Sequence, residues 1–427
     1  MTVTTTGRFT DSVRSQPGLV SAFLIDSIGT GMFIPFSLLF FQATTSLPLT
    51  RIGLGLSIAA LVRIPATVVA GPLSDRFGPR TAIVGSQALQ AAGFAGYLFV
   101  HGFWSLVAAA VLVQIGNSVF WVAYAPLIAA VAGEGRREHW FALATALRTG
   151  GYAAGGVIAG ATVAVGGRDG YIAVVAANGA SFILAAFLTA RLRPGTAPPP
   201  PDAGSRASWS PMLRDHAFLA FVAVNVGITF LALAIPTAVP VFLVDNLGLP
   251  SWSPGVTLAL NAVLVALSAP VVMSAISGRR RRSILMAAQA CVIVVLAVFT
   301  LVHLLPAGLA ITVVLIAVLP LAACEVTQGA IVPAVVTESA TPQALGRYTS
   351  AYQMTFSIAD IVCPAVVAAA LHAGAIILWL PLAAVALLDL VGVGLLAPRM
   401  TALTQRVGQA PPSAAATAER LLEADGT

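Results

Sequence analysis

The sequence predicts an all-α membrane protein of twelve transmembrane helices, on the basis of its composition, the lengths of its apolar segments and an internal repeat. Of its 427 residues, 58% are hydrophobic and 9% are charged, whereas soluble chains average about 25% charged residues. Apolar stretches of about 20 residues, each long enough to cross the hydrocarbon core as a helix, recur along most of the chain. Short alternating segments would instead indicate a β-barrel, so helices are the spanning structure that fits.

The predicted helices are joined by short loops whose charges indicate the topology. Arginines concentrate in the loops after the even-numbered helices, as at 76–80 and 279–282. Because cytoplasmic loops collect basic residues, we expect these loops and both termini to be cytoplasmic. The net charge of +6 then reflects topology and does not indicate nucleic-acid binding. The predicted helices cover 18–43, 51–73, 80–101, 104–132, 139–165, 170–191, 214–245, 253–277, 283–304, 307–336, 343–371 and 375–397.

A proline-rich stretch divides the chain into two similar halves. We expect a six-helix bundle at 1–193, a cytoplasmic linker at 194–211, a second six-helix bundle at 212–398 and a disordered cytoplasmic tail at 399–427. The loop at 78–80 has a counterpart at 278–280. Two pseudo-symmetric halves of this kind place a substrate site between them, near the middle of the membrane.

The loop at 71–80 carries the most specific motif, Gly-Pro-Leu-Ser-Asp-Arg-Phe-Gly-Pro-Arg. Gly71 permits close helix packing, and Gly78 allows a turn with positive φ. Asp75 can form an ion-pair cluster with Arg76 and Arg80 at the cytoplasmic interface.

This run closely resembles the G-x-L-x-D-R-x-G-R-R signature loop of the major facilitator superfamily, with Pro79 as its departure. The resemblance implies two six-helix bundles that rock around a central site, and a loop that latches the two halves in the outward-facing state. In that arrangement Asp75 faces the start of predicted helix 11. The second-half copy at 277–280 contains no acidic residue, so we expect a one-sided latch.

Glycines in predicted helix 5 give a second resemblance. Gly151, Gly155 and Gly160 are spaced as in the G-x-x-x-G-P-x-x-G-G motif of drug:proton antiporters, with Gly156 in place of the proline and Ala159 in place of a glycine. Small residues at this spacing also let any two helices approach closely, so ordinary packing is the alternative. We assign these glycines an interface or gating role.

Charged residues inside the membrane are costly and therefore indicate function. We expect Asp26 in predicted helix 1 and Arg148 in predicted helix 5 to lie at matched depth and to pair, and Glu325 in predicted helix 10 to face the cavity. Burial favours the protonated form of a carboxylate, and a neighbouring cation favours the ionised form. A carboxylate that alternates between such environments carries a proton or binds a substrate in its place, although a static ion pair is the alternative for both Asp26 and Glu325.

Other polar residues within the spans give weaker predictions. Arg63 and Asp360 are expected to pair across the two halves as a structural or gating bridge, and Asp389 is expected to form a local hydrogen bond. Each cavity candidate has helix packing as its alternative. The cavity candidates are Phe33, Asn117, Tyr124, Asn225 and Gln328.

Together these features predict a secondary transporter of the inner membrane, most consistent with proton-coupled efflux of a lipophilic or cationic small molecule, as in multidrug antiporters. Uptake of a small metabolite by symport is one alternative, and a sensor or receptor that retains the fold is another. The expected partners are the substrate, protons and the lipid bilayer, and we expect a monomer. No nucleotide-binding loop, metal-ligand cluster or catalytic triad is found in the sequence, so we expect neither enzymatic activity nor a cofactor or metal.

Overall fold

The computed structural model describes residues 16–132, 136–192, 209–250, 253–373 and 375–409, which are almost entirely helical. We number the main helices α1–α12 along the chain. Their bounds are Pro17–Phe33, continued after a short turn by Ser37–Thr44 (α1); Leu49–Ala60 and Arg63–Phe77 (α2); Pro79–Tyr97 (α3); Phe103–Ala132 (α4); 137–166 (α5); 168–190 (α6); His216–Val241 (α7); Ser253–Ile276 (α8); Arg281–Leu301 (α9); Ala307–Ser339 (α10); Leu345–Ala373 (α11); and Ala375–Leu396 (α12).

Eight helical stretches within the described residues are long and apolar enough to span a membrane, or nine if the bent α1 pair is one span. The chain is therefore a multi-pass membrane protein, while the count of twelve spans stays a prediction. Helices α5 and α6 are continuous except at Gly167, whose φ of 54° interrupts the helical backbone. A positive φ is accessible to glycine because it has no Cβ.

The two halves of the chain contact each other mainly through α2 with α11 and α5 with α8 and α10. At the end where α2 finishes and α11 begins, called here the latch end, one apolar core contains buried residues of both halves, such as Phe141 and Val335. At the opposite end, called the open end, the cores are separate: one contains only residues before 183 and another only residues after 230. The halves are thus packed together at the latch end and apart at the open end.

The beginning of the predicted disordered tail differs from expectation. Residues 401–404 form a short helix, and Leu403 and Val407 are buried against the C-terminal half. Backbone hydrogen bonds join this segment to the loop before α9, which gives it the partners that a disordered tail lacks. The rest of the predicted tail, 410–427, and the linker from 194 to 208 lie outside the described residues.

Candidate functional site

A cavity of about 550 Å³ lies between the two halves, with walls formed by α2, α4 and α5 on one side and by α7–α11 on the other. Its walls are mostly aliphatic and aromatic. Four charged side chains, two basic and two acidic, also line it. They are Arg63 and Arg148 from the N-terminal half, and Glu325 and Asp360 from the C-terminal half.

The C-terminal wall carries an acidic group within a polar surround. Glu325 Oε2 accepts a hydrogen bond of 3.1 Å from Asn261 Nδ2, and Gln328 lies one helical turn away on α10 and also lines the cavity. Asn225 on α7 lines the cavity too, and its Nδ2 donates to Thr229 and to Thr355, at 3.1 and 2.9 Å. Glu325, Gln328 and Asn225 therefore lie on the cavity wall, as the sequence predicted for them.

The N-terminal wall places Arg148 beside aromatic rings. Its guanidinium carbon lies 5.0 Å from the centre of the Trp121 ring, within the range of a cation–π contact. Tyr124 lines the central cavity and also an adjoining space of about 20 Å³, where Asp26 and Arg148 lie close together. Asp26 forms no ion pair with Arg148, so the predicted direct pairing is not formed. Asp26 Oδ1 is buried without a hydrogen-bond partner.

Two predicted cavity residues lie elsewhere. Phe33 packs edge-on against Phe94 of α3, with ring centres 4.7 Å apart, and also stacks on Tyr97. Asn117 is absent from the cavity wall, which α4 instead forms with Ser118, Trp121 and neighbouring residues. Both predictions were wrong because the surrounding helices, rather than residue type, determine which face of a span is turned towards the cavity.

Helices α2 and α11 are joined along their length by contacts that recur every four residues of α2. From the cavity to the latch end these are Arg63 Nη1 with Asp360 Oδ2 at 2.5 Å, Thr67 O with Ser350 Oγ at 2.5 Å, Gly71 with Gly346, and Asp75 with Arg347. A spacing of four keeps all of these α2 residues on one helix face. The pairing expected of Arg63 with Asp360 is therefore present, as the first of a series.

Asp75, whose contacts are called here the first latch, bonds the start of α11. Asp75 Oδ1 accepts from the Gly346 amide at 2.5 Å, and Oδ2 accepts from Arg347 Nε at 2.9 Å. A Cβ at Gly71 would lie 3.0 Å from Gly346 O, so a larger residue would push these two helices apart. The ends of α2 and α11 therefore need both a small residue and an acid.

The prediction that Asp75 pairs with Arg76 and Arg80 was wrong, because Asp75 pairs with Arg347 instead. Arg76 lies over the Phe77 ring, 5.3 Å from its centre, and Arg80 Nε donates to Thr189 O at 3.2 Å. Asp75 is turned towards α11 in the other half, so the two arginines on its own side find other partners. Gly78 has a φ of 81°, as expected of a turn.

A second latch, which the sequence reasoning missed, corrects the expectation of a one-sided device. Arg281, the first residue of α9, is fully buried between Glu138 at the start of α5 and Glu338 at the end of α10. Its Nη2 lies 2.5 Å from Glu138 Oε1, and its Nη1 lies 2.5 Å from Glu338 Oε2. Nη1 also donates to Ala402 O and Gln405 Oε1, at 3.0 and 3.1 Å.

The second-half loop therefore has no acid of its own because α5 supplies one from the opposite half. In both latches a carboxylate of the N-terminal half bonds an arginine of the C-terminal half, and in the second latch Glu338 of the C-terminal half bonds the same arginine. The sequence did contain a signal for this arrangement. Under the twofold repeat, the start of α5, where Glu138 lies, corresponds to the start of α11, where Arg347 lies.

The predicted interface glycines of α5 pack against α1, within the N-terminal half. A Cβ at Gly151 would lie 2.6 Å from Ser27 Cβ, and one at Gly155 would lie 2.7 Å from Met32 N. At Gly160 the nearest atom would be Phe36 Cζ at 3.9 Å, an ordinary contact. The close approach of α1 thus explains why positions 151 and 155 require glycine, but it does not explain the glycine at position 160.

Comparison with known proteins gives consistent similarities. The sequence profile of the Major Facilitator Superfamily matches residues 19–364. The multidrug resistance protein MdtH of Cronobacter sakazakii is 26% identical over 57% of this chain and 61% of the relative, and MdtH of Klebsiella pneumoniae is 24% identical over 52% and 54%. The matched part of the chain thus spans only between 54% and 61% of the length of these curated relatives.

Solved structures resemble the fold over more of the chain. A bacterial homologue of the iron transporter ferroportin, in an outward-facing state, superposes with a TM-score of 0.72 and 15% identity, covering 90% of this chain and 99% of that one. The Escherichia coli fucose:proton symporter FucP gives a TM-score of 0.71 with 14% identity and the same coverage. At such identities the likeness concerns the fold alone.

Proposed function

Because the family profile covers most of its length, this chain belongs to the Major Facilitator Superfamily, and we propose that it exports a lipophilic or cationic small molecule in exchange for protons. The observation that carries the proposal is the central cavity, which is largely apolar and aromatic but has the Glu325 carboxylate on one wall. Apolar walls suit a lipophilic body, and a few polar groups orient it. A cationic group would bind at Glu325.

Alternating access follows from the distribution of contacts between the halves. Packing is shared by both halves at the latch end and separate at the open end. To release or admit substrate at the latch end, the halves must separate there, which breaks the Asp75–Arg347 and Glu138–Arg281 pairs. Both pairs join opposite halves, so they stabilise the closed latch end and disappear when it opens.

Proton coupling is assigned to Asp26 and Arg148, with Glu325 as the substrate carboxylate. Asp26 lies beside Arg148 without a salt bridge, and its Oδ1 atom is buried. In this position a small movement of α1 against α5 changes the electrostatic surroundings of the carboxylate. Approach of the Arg148 guanidinium favours ionised Asp26, and withdrawal favours protonated Asp26. Proton release and substrate movement are then linked through the same rearrangement.

We also propose that the latch end and both termini face the cytoplasm of a bacterial inner membrane. Most loop arginines lie at that end, and cytoplasmic loops are enriched in basic residues. The relatives named as multidrug resistance proteins support a drug-like substrate. With the latch end closed, the cavity would be accessible from the periplasm.

The test is transport by the purified protein in sealed liposomes. Ethidium, a lipophilic cation of low permeability, is followed by its fluorescence on encapsulated DNA while valinomycin and potassium clamp the membrane potential. Export by antiport predicts ethidium accumulation in liposomes with an acidic lumen, and none without a pH gradient. The Asp26→Asn variant should lose the response to the gradient, whereas Asp169→Asn, at an exposed carboxylate near Gly167, should retain it.

Two results would refute the proposal. Ethidium movement that is the same with and without the gradient would exclude proton coupling. Accumulation of ethidium in liposomes with an alkaline lumen would mean that ethidium moves in the same direction as the protons. That result would identify symport, the alternative that the sequence left open.

A further inference from the structure

The loop before α9 and the C-terminal segment form a short antiparallel pairing at the surface of the latch end. The Arg281 amide donates to Gln405 O at 3.0 Å, the Val407 amide to Arg279 O at 2.9 Å, and the Gly278 amide to Val407 O at 3.0 Å. Arg280 and Arg406 are thereby placed directly opposite each other. Residues 401–407 are called the strap below.

Side chains alternate across this pairing. Arg281 points inwards, where it is fully buried in the second latch, whereas Arg280 and Arg406 are exposed. Directly opposed residues of an antiparallel pair present their side chains on the same face, with Cβ atoms about 5 Å apart. The backbone therefore holds two guanidinium groups side by side on the outer surface.

Like charges held opposite each other destabilise the pairing, and the described residues provide no compensating acid. Arg406 Nη1 donates to Gly278 O at 3.1 Å, a carbonyl that carries no net charge. The four ion pairs of the described residues involve neither Arg280 nor Arg406. Further arginines without a carboxylate partner lie nearby in the chain. They are Arg279, Arg282 and Arg399.

We propose that the phosphate of an anionic phospholipid binds between Arg280 and Arg406. Guanidinium groups bind phosphate through paired N–H donors, and a phosphate placed between two of them converts their repulsion into two attractions. Arg280 follows the end of α8 and immediately precedes α9, so both arginines lie where spanning helices end. Clusters of basic residues at this level of a membrane protein recognise anionic headgroups.

The headgroup site and the second latch lie on opposite faces of the strap, so lipid binding at one face can stabilise the contacts at the other. Ala402 O and Gln405 Oε1 of the strap both accept from Arg281. A lipid that stabilises the pairing of Arg280 with Arg406 also keeps these acceptors in place, and thus keeps Arg281 oriented towards Glu138. Anionic lipid should therefore favour the closed latch end.

The experiment measures lipid binding by the purified full-length protein in a neutral detergent. Dioleoyl phosphatidylglycerol is titrated against dioleoyl phosphatidylcholine, and bound lipid is counted by native mass spectrometry while the melting temperature is recorded. An arginine near an anionic surface contributes about fivefold to binding. The double variant Arg280→Gln, Arg406→Gln should therefore bind phosphatidylglycerol about 30-fold more weakly. A double variant of exposed arginines of the N-terminal half, Arg51→Gln with Arg168→Gln, is the matched control and should bind like the wild type.

A second readout separates binding from a structural role. Without lipid, the Arg280→Gln, Arg406→Gln variant should melt at the same temperature as the wild type or higher, because the repulsion is relieved. With phosphatidylglycerol only the wild type and the control should gain stability. A lower melting temperature without lipid would show that the two arginines stabilise the fold by themselves and would overturn the proposal.

Three further results would also overturn it. The first is equal binding of phosphatidylglycerol by the wild type and the Arg280→Gln, Arg406→Gln variant. The second is equal stabilisation by phosphatidylcholine or by millimolar inorganic phosphate. The third is a gain in lipid affinity when the tail acids are neutralised by Glu419→Gln, Glu423→Gln and Asp425→Asn, which would identify the tail as the occupant. Unchanged affinity in that variant supports the lipid.

Discussion

Replacing Glu138 with glutamine should shift the protein towards states that are open at the latch end. Arg281 is fully buried, and the Glu138 and Glu338 side chains beside it are only 1% and 5% exposed. Removing one partner of a buried ion pair typically lowers the stability of a protein by about 3–5 kcal/mol. Here the closed state should lose less stability, about 2 kcal/mol, because glutamine retains a carbonyl oxygen and Arg281 retains Glu338 as a partner.

This loss destabilises only the state that is closed at the latch end. Glu138 belongs to the N-terminal half, whereas Arg281 and its other partners belong to the C-terminal half, so the Glu138–Arg281 bond exists only when the halves are together. A cost of about 2 kcal/mol changes the ratio of closed to open molecules about thirtyfold. The change should be visible as a redistribution of distances across the latch end, and the separation of the halves at the open end should change in the opposite sense.

The assay is double electron–electron resonance between spin labels at Thr81 and Ser277, which are exposed on opposite halves at the latch end. The labels are introduced after Cys291, Cys324 and Cys363 are replaced by alanine. Glu138→Gln should transfer population from the short to the long distance, whereas the control Asp169→Asn should not. A Glu138→Gln distribution identical to that of the control would refute the assignment of Arg281 as a latch between the halves.

Three further predictions concern the latches, the cavity and helix packing. Asp75→Asn should open the latch end to a similar degree as Glu138→Gln in the same resonance assay, and the two effects should add because the pairs lie on different helices. Glu325→Gln should raise the KM for ethidium about tenfold in the liposome assay while leaving the KM of a neutral lipophilic substrate nearly unchanged, because only the cation loses a charge partner. Gly155→Ala should lower the unfolding free energy in detergent by about 1–3 kcal/mol through overpacking against α1. Gly160→Ala, whose added methyl group meets ordinary contact, should be neutral or stabilise by up to about 1 kcal/mol.

The sequence predicted the features that depend on chain position. The loop at 71–80 has a motif with few alternatives, so its family resemblance placed Asp75 against the start of α11, and Gly71 was expected to allow close helix packing. The cost of a charge in lipid, together with the family's helix arrangement, led to the pairing of Arg63 with Asp360. Each of these inferences needed only the order of the helices and their arrangement in the family.

Features that depend on helix rotation were predicted less well. Soluble helices show which face is buried through their polar side, but a membrane helix meets apolar surroundings both in lipid and in the protein core. Phe33 and Asn117 were therefore placed in the cavity on residue type, although the cavity wall lies elsewhere. The direct Asp26–Arg148 pair failed for a related reason, since matched depth does not establish that two side chains face each other.

The second latch was missed because its members come from four separate parts of the chain. Arg281 bonds residues from α5, α10 and the strap, and no local motif connects them. The pseudo-symmetry of the halves would have suggested it, because the starts of α5 and α11 are equivalent positions and one of them already carried a latch partner.

Access to the central cavity from each end of the molecule tests the account most directly. Gln328, which lines the cavity, is replaced by cysteine in the cysteine-free protein, and a membrane-impermeant maleimide is added to right-side-out or inverted vesicles. Labelling should occur from the open end in the resting protein, and from the latch end once Asp75→Asn and Glu138→Gln are introduced together. Labelling of the resting protein from the latch end, or no change when both latches are removed, would contradict alternating access through this cavity.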